Sequence, residues 1–457
     1  MITLLETPEI LDVPAVAEAG VGTSEPKNSK PSGDDLTEYQ YANALAEILP
    51  PIKTCGNQWR SYEAGAWSEI ERAIFRPDAQ NTLPENIRTE RRAAALLDHL
   101  EGRAQVSAES FCGFNKTGAD GSVFVNVGNG VLVVTPSNIK LTEHDPAHNF
   151  TARTAAIYNI EAAAPLFYRV LNEALPDAED RRLYQLCAGN FLLPDSRFEV
   201  ALINYGEAGS GKSTLAEAIA STLGRDLVPR LNMSQICDSK SYHLPKLRYA
   251  AVNLGTELDA IEMGDSASFK ALISGEPLEA RPIYGAPFTM RTACKLWFLA
   301  NGLPRFKHGT EAELRRTRFI RFNYIPPSKD VTLKTRLAAE RDGIFLWMVE
   351  GLRELLTLAE IPLGGKDSRA VHDRFRISND PVGSFVKQRC RFDVNACADK
   401  FLLGAAYDEF CRQHGLPDSC GAWFFRCLYE RWPNLTEKRP GSGSSRRRCI
   451  AGIALNS

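Results

Sequence analysis

Apolar positions recur at helical spacing from Glu38 onward, first in YQYANALAEIL and again in RTERRAAALLDHLEGRA, Arg88 to Ala104. Between them QWRSYEAGAWSEI alternates aromatic and polar residues, which predicts a short hairpin. The stretch SVFVNVGNGVLVVTP sets two apolar strands around Gly128-Asn129-Gly130, the composition of a tight hairpin turn. Two further helical stretches follow, AAPLFYRVLNEAL and AEDRRLYQLCAGNFLL. They lead into strands and helices that alternate up to about residue 325. Beyond that the chain reads as helical again and closes on a strand–turn–strand signal. No fixed-period repeat interrupts this order.

The pattern divides the chain into four stretches. Residues 1–38 are rich in Glu, Asp, Pro, Gly and Ser and cannot bury enough apolar surface to offset their ordering entropy, so they are expected to form a flexible acidic tail. Residues 39–160 read as a small mixed α/β accessory domain, and 161–365 as an α/β domain built on alternating strands and helices. Residues 366–457 read as helices finished by a basic hairpin.

Composition narrows the classes. The 54 Lys and Arg nearly balance the 56 Asp and Glu, giving a formal net charge of -2, so the chain does not coat nucleic acid by bulk charge. Local basic patches remain open to it. Eleven cysteines form no framework, and Cys390, Cys397, Cys411, Cys420 and Cys427 lack zinc-knuckle spacing; reduced, mostly buried thiols are expected. The first residues lack a basic-then-apolar leader, and no apolar run approaches the ~20 residues of a membrane span. A cytoplasmic protein without a membrane partner is expected.

The chemistry concentrates in one loop. Phe198 to Tyr205 (FEVALINY) reads as a buried strand and TLAEAIASTLG as a helix. Between them stand Gly206, Glu207, Ala208, Gly209, Ser210, Gly211, Lys212 and Ser213, the GxxxxGKS pattern. Glycines let backbone amides face a phosphate group at a helix start whose dipole favours anions, with Thr214 in the first turn. Lys212 would reach the β- and γ-phosphates of ATP, and Ser213 would offer its hydroxyl to Mg2+. The string Asn115-Lys116-Thr117-Gly118 lies upstream and lacks the Asp of a guanine-reading motif, which removes a small GTPase.

The next buried strand, LRYAAVNLGTE from Leu247 to Glu257, ends in an acid, with Asp259 just beyond. An acid at a strand's carboxyl end beside such a loop can activate water and help hold the metal. Glu257 is the candidate base and Asp259 a candidate metal ligand.

Four runs then follow in order: FKALISGEP from Phe269, ARPIYGAPF from Ala280, KLWFLANGLP from Lys295 and LRRTRFIRF from Leu314. This order resembles the superfamily 3 helicases found in phage, plasmid and poxvirus-type primase–helicases. NGVL at Asn129 resembles that family's amino-terminal helper domain, and Asp342 to Gly351 its post-core helix. The resemblance implies a three-layer, AAA+-like P-loop ATPase core and assembly into a homo-oligomeric ring, most simply a hexamer. It makes Asn301 the sensor at the end of the third core strand. Arg315 and Arg316 match paired arginines, one of which would reach a neighbouring subunit's nucleotide.

Two regions are candidates for touching DNA. Leu278 to Thr292 alternates like a hairpin around Tyr284-Gly285, and the resemblance places such a hairpin in a central pore. Arg281 and Arg291 would meet phosphates there and Tyr284 would stack or wedge. The closing Arg446, Arg447 and Arg448 follow a Gly/Ser-rich tip, as on the wing of a winged helix. Residues 39–160 hold no paired-Asp polymerase signature and are too few for a primase module, so a separately made primase or initiator is the implied partner. The alternative reading is a DNA-binding ATPase switch that never unwinds. A nucleotide kinase would need a lid and a second substrate pocket, which LRRTRFIRF and the basic tail fit poorly.

Overall fold

The computed structural model describes residues 37–238, 242–258, 262–263, 267–303, 305–306, 315–328, 330–416, 421–439 and 447–456. Residues 1–36 of the expected acidic tail, Asp259 and Arg446 fall outside them, while Thr37 and Glu38, also expected in that tail, open the first helix.

Helix α1 (Glu38–Ile48) starts on a capping box in which Thr37 and Gln40 satisfy each other's backbone amides. The expected hairpin is part of a three-stranded meander, β1 (Ile52–Cys55), β2 (Gln58–Glu63) and β3 (Ala66–Ile70). The added strand, β1, is only IKTC, too short to show a period. Helices α2 (Arg76–Thr82) and α3 (Glu90–Ala104) close this unit around Tyr41, Leu45, Trp59, Phe75 and Leu97. A second meander follows: β4 (Asn115–Thr117), β5 (Val123–Val127), β6 (Gly130–Val134) and β7 (Ile139–Thr142). Val127 faces Gly130 across the expected turn.

Helices α4 (Pro165–Ala174) and α5 (Ala178–Asn190) precede β8 (Ala201–Gly206) and α6 (Lys212–Leu223). Next come α7 (Met233–Ile236), β9 (Val252–Leu258), β10 (Glu262–Met263) and α8 (Ala267–Ser274). The strands β11 (Leu278–Ala280), β12 (Phe288–Met290), β13 (Lys295–Ala300), β14 (Arg305–Phe306) and β15 (Thr317–Phe322) complete the stretch. Four strands form one parallel sheet in the order β15-β8-β13-β9. All of β8 and all of β13 are buried, which is why they read as continuous apolar runs rather than alternating ones. Two strands start later than their sequences suggest. Glu199 takes a left-handed φ of 46°, and a 3-10 turn at Leu244–Leu247, with Pro245 second in it, precedes β9, so pairing starts only afterwards.

Helices cover both faces. On one lie α5, α6 and two helices beyond the sheet, α9 (Leu333–Ala339) and α10 (Arg341–Leu355), through Leu215, Ile219, Trp347 and Met348. The same cluster takes in Val123, Val125, Leu132 and Val134, so the second meander and the helical layer share one core. Where α5 crosses α10, a Cβ on Gly189 would lie 2.3 Å from the amide nitrogen of Leu352 and one on Gly351 2.3 Å from the carbonyl of Gln185. Those two glycines set the crossing distance. The other face carries α8 and α11 (Lys366–Asn379), packed through Phe269, Leu272, Val371 and Phe375.

The last unit runs α12 (Pro381–Arg389), β16 (Cys390–Asp399), α13 (Lys400–Gln413), α14 (Ala422–Arg431), β17 (Thr436–Lys438) and β18 (Cys449–Leu455). Its antiparallel sheet has the order β16-β18-β17. Phe385, Tyr407, Phe410, Phe424 and Ile453 fill the core, with the Tyr407 and Phe424 rings stacked at 4.1 Å. Strand β16 was not expected, because most of its residues are exposed and give no hydrophobic period. No helix among the described residues is long and apolar enough to cross a membrane.

Candidate functional site

The 206–213 loop joins the end of β8 to the start of α6, the context the sequence demanded. Gly206 lies where β8 meets β15: a Cβ there would sit 2.3 Å from the Phe322 carbonyl oxygen. Gly209 and Gly211 adopt left-handed φ values of 85° and 87° that turn the chain into the helix. Gly211 caps α6, whose first amides have no partner within the helix. Glu207, Ala208, Gly209 and Ser213 are exposed, Ser210 is buried and Thr214 half-buried.

Lys212 is buried and folds back on the loop. Its Nζ donates to the carbonyls of Gly206 at 2.6 Å and Glu207 at 2.7 Å. Burial lowers its pKa first, the Arg321 cation lowers it further, and Glu207 opposes both. An anion placed here would reverse the sign of that balance and favour the ammonium form.

Arg321 was passed over in the sequence. It pairs with Tyr205 across β15 and β8, and its guanidinium lies 4.7 Å from the Tyr205 ring centroid. The alternation of TRFIRF put a cation at the far end of the strand; only the register with β8 shows that this end is the loop's.

Parallel pairing brings other candidates to the same edge. Ala300 pairs with Tyr205 on one side and with Leu258 on the other. The backbone of Glu257 and the exposed Asn301 therefore stand at the edge that carries the loop.

Arg315 and Arg316 stand at the opposite edge. The Ala201 amide donates to the Arg316 carbonyl at 2.8 Å, at the start of β8. Nε and Nη2 of Arg316 both reach the same Glu199 carboxylate oxygen at 2.8 Å, while Arg315 is exposed. Buried Arg318 bonds the carbonyls of Arg315, Ile361 and Pro362, fixing the entry to β15. Loop and arginine pair are thus a full strand apart.

The hairpin forms as β11 and β12. At its tip Tyr284 is 103% exposed and held at φ 63°, a conformation rare for an aromatic residue. Arg281 donates through Nε to the Gly285 carbonyl at 3.1 Å, and Arg291 is exposed just after β12. In the last unit, Arg447 and Arg448 are exposed beside carboxylates, 3.8 Å from Asp399 and 3.7 Å from Glu437. Those acids offset part of the charge expected of a wing. Among the described residues no cluster of His, Cys, Asp or Glu is arranged to hold a metal.

Residues 204–316, about a quarter of the chain, match DUF5906, a family of unknown function. The match begins in β8, just before the loop, and ends at the arginine pair. No curated protein matches the chain. Among solved structures it is similar to the A form of the apo NrS-1 C-terminal region, with a TM-score of 0.54 and 10% identity over 92% of this chain and 100% of that one. The apo structure of NrS-1 residues 305–718 gives the same values, and another A-form apo structure of that region gives 0.53 over 91% and 98%. At this identity, what the two share is the fold.

Proposed function

We propose that the chain is an ATP-hydrolysing motor that moves on DNA as a homo-oligomeric ring, in the manner of superfamily 3 helicases. One observation carries the reading: the 206–213 loop, Glu257 and Asn301 gather at one edge of the parallel sheet while Arg315 and Arg316 stand at the other. A triphosphate at the loop is out of reach of its own chain's arginine pair. A neighbour stacked edge to edge would bring its pair to it, and repeated head-to-tail contact of that kind forms a ring when the rotation between neighbours closes.

The residues present suit magnesium-ATP. Unpaired helix amides, two left-handed glycines and a buried ammonium make an anion cradle. Ser213, Glu257 and Asp259 would hold Mg2+, which neutralises phosphate charge when bound. Lys212 orients the phosphates, Glu257 takes the proton from the attacking water and Asn301 holds that water. A trans arginine stabilises the charge that develops as the bond breaks. The last unit's order, helix–strand–helix–helix–strand–strand, supports a winged helix, and the exposed tip tyrosine supports a strand-contacting hairpin. The helicase resemblance supplies the setting: replication of a phage, plasmid or integrated element, with a separate primase.

Two assays test this. Wild type should hydrolyse ATP faster with DNA and displace a strand from a forked substrate, and Lys212→Ala should do neither while staying folded. Turnover without displacement would leave a DNA-dependent switch. Unchanged turnover in Lys212→Ala would remove the nucleotide site.

A further inference from the structure

A second recess lies at the arginine-pair edge of the sheet. It is an open cleft of about 590 Å³ among the chain segments that enter β8, β9 and β13, with Asn115 and its neighbours closing one side. Arg197, Arg248 and Arg291 line it, together with Tyr249.

Its charge is not cancelled. Arg197 is paired with Asp195 at 2.5 Å, and Glu199 is taken by Arg316. Arg248 and Arg291 have no carboxylate partner among the described residues. Arg248 instead lies against aromatic rings, 5.0 Å from the centroid of Tyr249 and 5.6 Å from that of Phe288. Stacking fixes a guanidinium without neutralising it. Beneath the floor, buried Lys295 donates to the carbonyls of Leu193, Asp195 and Ala293. Burial brings its pKa down to about 8, which still leaves it mostly charged at neutral pH.

The cleft also has a direction. Phe288 belongs to β12, and Arg291 leaves the same strand, so the recess opens at the foot of the hairpin whose tip carries Tyr284 and Arg281. An enclosed, mostly apolar pocket would suit a small ligand. An open recess with a ring-stacked Arg248 and an exposed Arg291, at the foot of a hairpin with an exposed ring, has the parts of a single-strand track: cations for the backbone and an aromatic for a base.

We infer that this cleft seats a short stretch of single-stranded DNA backbone, with Arg248 and Arg291 on its phosphates, and passes the strand to the hairpin tip. The inference rests on the DNA-motor reading and adds to it Arg248 and the cleft, a contact that the hairpin with its Arg291 alone would not provide.

The test is fluorescence anisotropy of the full chain on labelled oligothymidylate across a potassium chloride series. Arg248→Gln should weaken binding and lower the log–log salt slope by about 0.7, and Arg248→Gln with Arg291→Gln by about 1.4, at roughly 0.7 per phosphate contact on a single strand. The pair Arg248→Lys and Arg291→Lys should keep most of the slope, because charge and not packing sets it. Tyr284→Ala should weaken binding with its slope intact. An unchanged slope in Arg248→Gln, while Tyr284→Ala still weakens binding, overturns the cleft and leaves the hairpin with Arg291. Equal loss in the Lys and Gln pairs also overturns it. A wild-type chain that binds no oligonucleotide fails differently: it removes the DNA-motor reading itself.

Discussion

Arg316→Ala and Lys212→Ala should each be inactive alone and recover turnover when mixed. Strands β15 and β8 pair from Thr317 with Ala201 to Phe322 with Gly206, so Arg316 sits one strand length from the loop. Six residues at ~3.3 Å each span roughly 20 Å, beyond an extended arginine side chain. On the proposed reading, a nucleotide that Arg316 reaches must therefore be a neighbour's. Removing such a group should cost ~10³-fold in rate, or about 4 kcal/mol of transition-state stabilisation. The ion pair lost with it is modest, because the Glu199 side chain is 40% exposed, so the variant should stay folded. In a mixed ring an interface works only if one subunit gives an intact Lys212 and its neighbour an intact Arg316. If f is the fraction of Arg316→Ala chains, the working fraction is f(1 − f), which peaks at equal mixing at about one quarter of wild-type turnover whatever the ring size. The assay is steady-state ATP hydrolysis with DNA at fixed total protein, against mixing ratio, with subunit exchange followed by energy transfer between labelled chains. A flat line after verified exchange would refute the trans arginine and the ring built on it.

Three further outcomes test the site and its frame. Glu257→Gln should bind magnesium-ATP but hydrolyse it at least ~100-fold more slowly, since the amide keeps the shape without the basicity; single-turnover kinetics within a fewfold of wild type would move the base elsewhere. Gly206→Ala should lose more than about 3 kcal/mol, because its Cβ would meet the Phe322 carbonyl at 2.3 Å. Gly209→Ala, with nothing within 4 Å, should lose only the ~1–2 kcal/mol of a left-handed alanine. Denaturant midpoints decide, and equal losses would refute the close-approach argument. Lys295→Met should cost about 2–3 kcal/mol through the carbonyls it leaves without a donor. The wild type's folded pKa of about 8 lies below the unfolded value of 10.5, so folding releases a proton between them. Its stability relative to Met should rise as pH climbs from about 8 to 10.5, and a pH-independent difference in denaturant midpoint would refute that assignment.

Much of the frame follows from rules that act over a few residues. The buried runs ALINY and KLWFLA, the Gly128-Asn129 turn and the strand–loop–helix around Lys212 were legible because periodicity, turn chemistry and glycine spacing are local. Strand β16 was not, since its exposed residues carry no hydrophobic period. The left-handed Glu199 that delays β8 also leaves no mark in composition. Which strand ends share an edge could not be read locally at all. The four arginines Arg315, Arg316, Arg318 and Arg321 lie within seven residues of sequence, yet one is exposed, one pairs with Glu199, one is buried on carbonyls and one stands beside the loop. Their fates depend on the order β15-β8-β13-β9 and its parallel register. The cleft is assembled in the same way, from the entries of three strands far apart in the chain. The sequence determined which chemical groups exist and which local elements carry them. Only tertiary structure decided which groups meet, because a parallel sheet fixes neighbours by long-range pairing and packing on both faces, and neither leaves a local signal.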